Sequence, residues 1–114
     1  MNSAKVLRGH RQAKVRQTEA VKALFAPGDH VRVREAYPIG HVRTPYYIRG
    51  KSGVIERLCG SYPNPEELAY ARSGLPAEPL YRVRFRQADV WDAYNGGQED
   101  TVDIEIFQHW LQAK

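Results

Sequence analysis

Apolar and charged residues alternate with a period of two at three places along the chain, and this sets the first expectation of fold. In His30-Val31-Arg32-Val33-Arg34 the valines share one face and the charges the other, as in a strand with one side on a core. Leu80-Tyr81-Arg82-Val83-Arg84-Phe85 alternates most cleanly, and Thr101-Val102-Asp103-Ile104-Glu105-Ile106 repeats the pattern. Another strand is predicted over Ser52–Leu58, with Val54 and Leu58 on one face and Ile55 near the turn. Between these strands lie stretches too rich in breakers for a regular element: Pro38, Gly40, Pro45 and Gly50 in 35–50, then six glycines and prolines in 60–79. The second stretch has room for a helical turn or two around Glu66–Ala71, and connections of that length tend to be functional or to face a partner. Ala88–Trp91 reads as a short turn, Asn95-Gly96-Gly97 as a loop, and Phe107–Leu111 as a closing turn of helix.

Helical spacing precedes the strands. From Arg11 to Phe25 the apolar residues Val15, Ala20, Val21, Leu24 and Phe25 recur about three and four apart, until Pro27-Gly28 ends the pattern. The stripe is thin, which suits a helix that docks on another subunit. Two segments follow: a basic tail and docking helix over 1–24, and a β domain over 25–114. Four or five short strands at turn-rich intervals, with helix only at the edges, predict a mainly β fold, an SH3-like partly open barrel with an amino-terminal helix. Curling a small antiparallel sheet toward closure removes exposed edges.

Composition narrows the class. With 114 residues, 42% hydrophobic and 26% charged, the chain has the make-up of one ordinary core, which excludes collagen-like, low-complexity and wholly disordered readings. No apolar run reaches the roughly 18 to 20 residues that span a bilayer, and no secretory apolar core stands at the start. Cys59 is the one cysteine, so an internal disulfide is impossible and a reducing cytoplasm is the expected compartment. The net charge of +4 is unevenly spread. The first 22 residues hold six basic side chains and one acidic; residues 23–114 hold the remaining eleven basic and twelve acidic ones. A near-neutral body weakens the nucleic-acid reading that the overall charge invites.

Few residues are arranged for chemistry. His10, His30, His41 and His109 stand far apart with no second ligand at helical spacing, and Cys59 has no metal-binding partner nearby. Gly50-Lys51-Ser52 imitates the end of a phosphate-binding loop but lacks its upstream glycine and following helix. Asp100, Asp103 and Glu105 read as the solvated face of a strand before an acid–base pair, and Tyr81, Trp91 and Trp110 as core and rim before a ligand cage. One segment is different. Gly40 to Ile55 places His41, Arg43, Tyr46, Tyr47, Arg49 and Lys51 in a breaker-rich connection between two strands. Arg43 on a stiff loop is a candidate anion-binding group, because a guanidinium offers a planar fork of donors; an exposed structural loop with ordinary surface arginines is the alternative. Arg49 is expected to brace the start of the next strand.

The same segment resembles the signature of nitrile-hydratase β subunits. The resemblance is carried by Phe25-Ala26-Pro27-Gly28-Asp29-His30-Val31-Arg32-Val33 and the Gly-His-x-Arg-x-Pro-x-Tyr-x-Arg-Gly-Lys-x-Gly stretch at Gly40–Gly53. It continues through Tyr62-Pro63-Asn64-Pro65, Pro79–Phe85, Val90-Trp91, Asp103–Ile106 and Trp110-Leu111. It implies the carboxy-terminal half of such a subunit, an SH3-like barrel; thiocyanate hydrolase keeps the corresponding portion as a separate small subunit. It further implies a role in hydrating a nitrile to an amide, a lyase reaction at an iron or cobalt centre. That metal sits on an α-type subunit in a Cys-x-x-Cys-Ser-Cys loop with two oxidised cysteines, and no cofactor is expected on this chain. Arg43 matches the family arginine that hydrogen-bonds the oxidised sulfurs. The implied partners are the metal-binding α-type subunit and a separate subunit equivalent to the β amino-terminal half, so no activity is expected from this chain alone. Two other readings stand beside this one. Gly28-Asp29-x-Val31-x-Val33 with Gly50-Lys51-x-Gly53-x-Ile55 is also similar to RNA-binding SH3-like modules, and an accessory or chaperone protein for a hydratase fits the same residues.

Overall fold

The computed structural model describes residues 20–36 and 43–114. Five antiparallel strands form one sheet: β1 (His30–Val33), β2 (Ser52–Tyr62), β3 (Glu78–Arg86), β4 (Thr101–Phe107) and β5 (Leu111–Ala113), in the order β4-β3-β2-β1-β5. The sheet curls without closing, so the fold is mainly β and an open SH3-like barrel, as the strand pattern predicts. Two four-residue helices, α1 (Pro65–Leu68) and α2 (Gln87–Val90), lie in the connections. The amino-terminal helix expected over 11–25 falls outside the described residues as far as residue 19, and residues 20–25 carry no regular structure.

Alternation puts the core where the sequence places it. Val31 and Val33 of β1 and Tyr81, Val83 and Phe85 of β3 are fully buried. They meet Ile55, Ile106 and the ring of Trp110 in one cluster. On the opposite face Arg82 pairs in register with Glu105, and Arg84 with Asp103. Arg84 grips Asp103 with two bonds, Nε to Oδ1 at 2.8 Å and Nη2 to Oδ2 at 2.9 Å. This hydrogen bond holds the Asp103 carboxyl below its ordinary value, so the pair stabilises the fold above about pH 3.9 and loses that contribution as pH falls through the lowered folded-state value. The stability gap between native chain and Asp103→Asn should therefore narrow as acid is added, as urea unfolding at a series of pH values would show. A gap independent of pH would remove the ion pair as its cause.

Two expectations are corrected. In β2 the buried residues are Gly53 and Ile55, whereas Val54 is half-buried and Leu58 exposed. The register decides this: Gly53 stands opposite Val31, so odd positions of early β2 face the core until bulges between Ile55 and Arg57 and between Leu58 and Gly60 shift the pattern. Gly53 itself is glycine for space, because a Cβ there would lie 2.8 Å from the Arg84 carbonyl oxygen. At the carboxy end, the helical turn is a 3-10 turn over Gln108–Trp110. The chain then turns into β5, which pairs with β1 through Leu111 opposite Val33.

The segment ahead of β1 is tied to the body. The Leu24 and Phe25 amides donate to the Tyr81 hydroxyl at 3.1 and 3.2 Å, and that hydroxyl donates to Gln108 Oε1 at 2.7 Å. Gln108 Nε2 in turn donates to the Lys22 carbonyl, and the Val21 amide to that of Ala77. A helical arrangement of 20–25 would withdraw these groups from the body.

Candidate functional site

The β1–β2 connection is rigid where it is described. Pro45 leads into a 3-10 turn at Tyr46–Ile48, and Ile48 is buried in the core as an anchor. Gly50 adopts φ +80°, which glycine enters without steric cost, and its amide donates to the Val33 carbonyl at 2.9 Å. The Lys51 carbonyl accepts from the Val33 amide, closing the exit of the loop onto β1.

Arg49 holds the two arms of the connection together. Its Nη2 and Nε donate to the Thr44 carbonyl at 2.8 and 3.3 Å, and Nη1 donates to the Ala36 carbonyl at 3.1 Å. Its guanidinium also lies 5.0 Å from the Trp110 ring centre and 5.7 Å from that of Tyr46. Arg49 thus ties the two described arms of the connection to each other as well as bracing the start of β2. Arg34 approaches the same indole at 5.6 Å while donating to the His109 carbonyl.

Arg43 stands differently. It is exposed at the mouth of a small cleft of about 140 Å³ whose walls include Thr44, Glu66, Glu105, Phe107 and Trp110. Its backbone amide donates to Glu66 Oε2 at 3.4 Å, while its guanidinium makes no hydrogen bond or ion pair among the described residues. A planar cation on a pinned backbone, exposed and without a side-chain partner among the described residues, can hold an anionic group of another molecule. His41, its neighbour in the motif, lies outside the described residues.

Sequence reasoning missed Glu66, His109 and Trp110 as parts of this place. Glu66 Oε2 accepts the Trp110 indole N–H at 2.9 Å, and Oε1 lies 3.2 Å from His109 Nε2. The signal was present in Asn64-Pro65-Glu66: Asn64 caps α1 by accepting the Glu66 amide, and Pro65 takes the first turn. The other candidates are ordinary. Tyr47 stacks on Trp91 at 5.0 Å, and Tyr81 and Trp110 are core while Trp91 is half-exposed. Asp103 and Glu105 pair with arginines on the outer face. Cys59 is half-buried, and burial first, then Glu105, pushes its thiol up. Among the described residues no group of three or more His, Cys, Asp or Glu side chains could hold a metal ion, and no helix is long and apolar enough to cross a membrane.

An open five-stranded barrel presenting an arginine from the β1–β2 loop defines a class of small β domain. Over residues 13–113 the chain matches the family model for the nitrile hydratase beta subunit, C-terminal, and it belongs to that family. It is 37% identical over 89 residues to the nitrile hydratase subunit beta of Pseudomonas chlororaphis, covering 76% of this chain and 39% of that one. It is 33% identical over 94 residues to the thiocyanate hydrolase subunit alpha of Thiobacillus thioparus, covering 82% and 74%. A chain of the recombinant apo-enzyme of thiocyanate hydrolase from Thiobacillus thioparus superposes with a TM-score of 0.78 at 31% identity, over 86% of this chain and 82% of that one. The chain therefore spans about two fifths of the nitrile hydratase β subunits it matches, 39% and 41% for two of them.

Proposed function

We propose that this chain is the β-type small subunit, equivalent to a carboxy-terminal half, of a nitrile hydratase-like complex that adds water to a carbon–nitrogen triple bond. Arg43 carries the reading: an exposed guanidinium on a loop fixed by Arg49, Ile48 and Gly50. Its planar fork holds the anionic oxygens of oxidised cysteines on a metal-binding α-type partner and keeps them oriented. The iron or cobalt belongs to that partner. A further subunit equivalent to the β amino-terminal half completes the assembly. A chain in which this portion makes up most of the length has a parallel in the thiocyanate hydrolase subunit, 74% of which the match covers.

The same parallel favours a second reading of the substrate. Thiocyanate, like a nitrile, presents a carbon–nitrogen triple bond to water. Co-expression with a subunit carrying Cys-x-x-Cys-Ser-Cys and with the amino-terminal counterpart tests both. The expected result is one co-eluting complex that converts a nitrile to its amide, or thiocyanate, and loses that activity when this chain is left out. The chain purified alone should carry no stoichiometric iron or cobalt and should leave nitriles unchanged. Turnover by the partners without this chain, or failure of the three to associate, would overturn the proposal.

A further inference from the structure

We infer that Glu66 is a positioning residue for Arg43, and that its carboxylate works by being already engaged on both oxygens. The inference rests on the reading of Arg43 given above. One carboxylate joins three parts of the fold. It is carried by α1, takes the indole N–H of Trp110 from the turn before β5, and receives the Arg43 amide from the β1–β2 loop. His109 Nε2 sits 3.2 Å from its other oxygen, while Nδ1 of that ring lies 3.8 Å from Glu78 Oε1. The side chain of Glu66 is only 22% exposed, so burial favours keeping these donors on its oxygens.

Two consequences follow from chemistry. Arg43 is held on one side by Glu66 through its own amide, and on the other by Arg49 through the Thr44 carbonyl. The bond from Arg43 is the longest of the three at Glu66, so the indole and imidazole fix the carboxylate and the carboxylate then fixes the loop. A carboxylate this near an arginine would ordinarily capture the guanidinium. Here the donors of Trp110 and His109 engage it, and among the described residues Arg43 makes no ion pair with it. The guanidinium is left for the partner's oxygens.

The test uses the assembled complex and the full-length chain. Glu66→Ala should lower kcat at least about threefold while KM stays within about twofold. Glu66→Gln, which keeps an acceptor for the Trp110 and Arg43 N–H groups, should stay within about twofold of native. Glu66→Ala combined with Arg43→Lys should be no slower than Arg43→Lys alone, because a residue acting through another adds nothing once that one is lost. In the isolated chain, Glu66→Ala should speed hydrogen exchange at the Arg43 amide at least about fivefold, with β3 and β4 amides unchanged. If β3 and β4 amides exchange faster too, Glu66 is a general brace and the inference fails. Arg43→Lys at full activity removes the Arg43 reading and this one with it. A slowed Arg43→Lys beside an unaffected Glu66→Ala, equal losses in Glu66→Gln and Glu66→Ala, or multiplicative losses in the double variant would remove the Glu66 inference alone.

Discussion

Arg43→Lys is expected to slow the reconstituted complex at least about tenfold, roughly 1.4 kcal/mol of transition-state stabilisation, while the isolated chain keeps its melting temperature. Lysine retains the charge but presents a single ammonium where arginine presents a fork, so oxygens held by two parallel N–H bonds lose their orientation. The fold should not notice, since the guanidinium is exposed and unpaired among the described residues, and such substitutions usually stay within about 0.5 kcal/mol. Arg49→Lys supplies the contrast. Its guanidinium makes three hydrogen bonds to the Thr44 and Ala36 carbonyls and lies over Trp110. Loss of that fork should lower stability along with activity, by slackening the loop that carries Arg43. The two arginines are thus separated by whether melting moves with turnover. An Arg43→Lys complex of native rate would leave the loop as a structural feature only. Equal activity losses without any change in melting at either position would make it a general basic patch.

The strands that were legible in the sequence are those with a core on one face and water on the other. β1, β3 and β4 satisfy both conditions, and their alternation matches their burial residue by residue at Val31, Val33, Tyr81, Val83 and Phe85. β2 hid its facing because bulges break its period, and because Gly53, at a core-facing position, has no side chain to mark it. β5 is three residues long, too short for any period, and exists through its pairing with β1. The loop of Gly40–Gly53 stood out by its residue types and Arg43 was read from it, yet the place Arg43 occupies was not legible. Glu66 lies 23 positions away in a breaker-rich stretch that predicts a helical turn but not what that turn touches, and Trp110 and His109 lie beyond two further strands. Contacts set by the closing of a sheet leave no local trace in sequence. The family motif ran past Asn64-Pro65 without marking the carboxylate that follows.

The largest stability effect is expected at Tyr81, whose ring and hydroxyl do separate jobs. The ring is fully buried and meets Phe25 edge-on at 5.6 Å. Deleting it in Tyr81→Ala should cost about 3–5 kcal/mol, as for other large aromatics removed from a core. That is a large share of the roughly 5–15 kcal/mol by which domains are stable, so the variant should melt well below the native chain. Tyr81→Phe isolates the hydroxyl, which accepts the Leu24 and Phe25 amides and donates to Gln108. Its loss leaves the Phe25 amide without its acceptor in a half-buried place, at a cost of about 1–3 kcal/mol; Leu24 retains Gln108 Oε1 at 2.9 Å. The reference is a chain starting at Ala26, in which both donors are gone. There Tyr81→Phe should cost measurably less than in the full chain, and the difference is the coupling between the hydroxyl and the segment ahead of β1. Chemical denaturation of the four chains gives that coupling directly. If Tyr81→Phe costs the same with and without residues 1–25, the hydroxyl serves only Gln108, and the segment before β1 is held by the Phe25 ring, the Val21 amide and the bonds of Gln108 to Lys22 and Leu24.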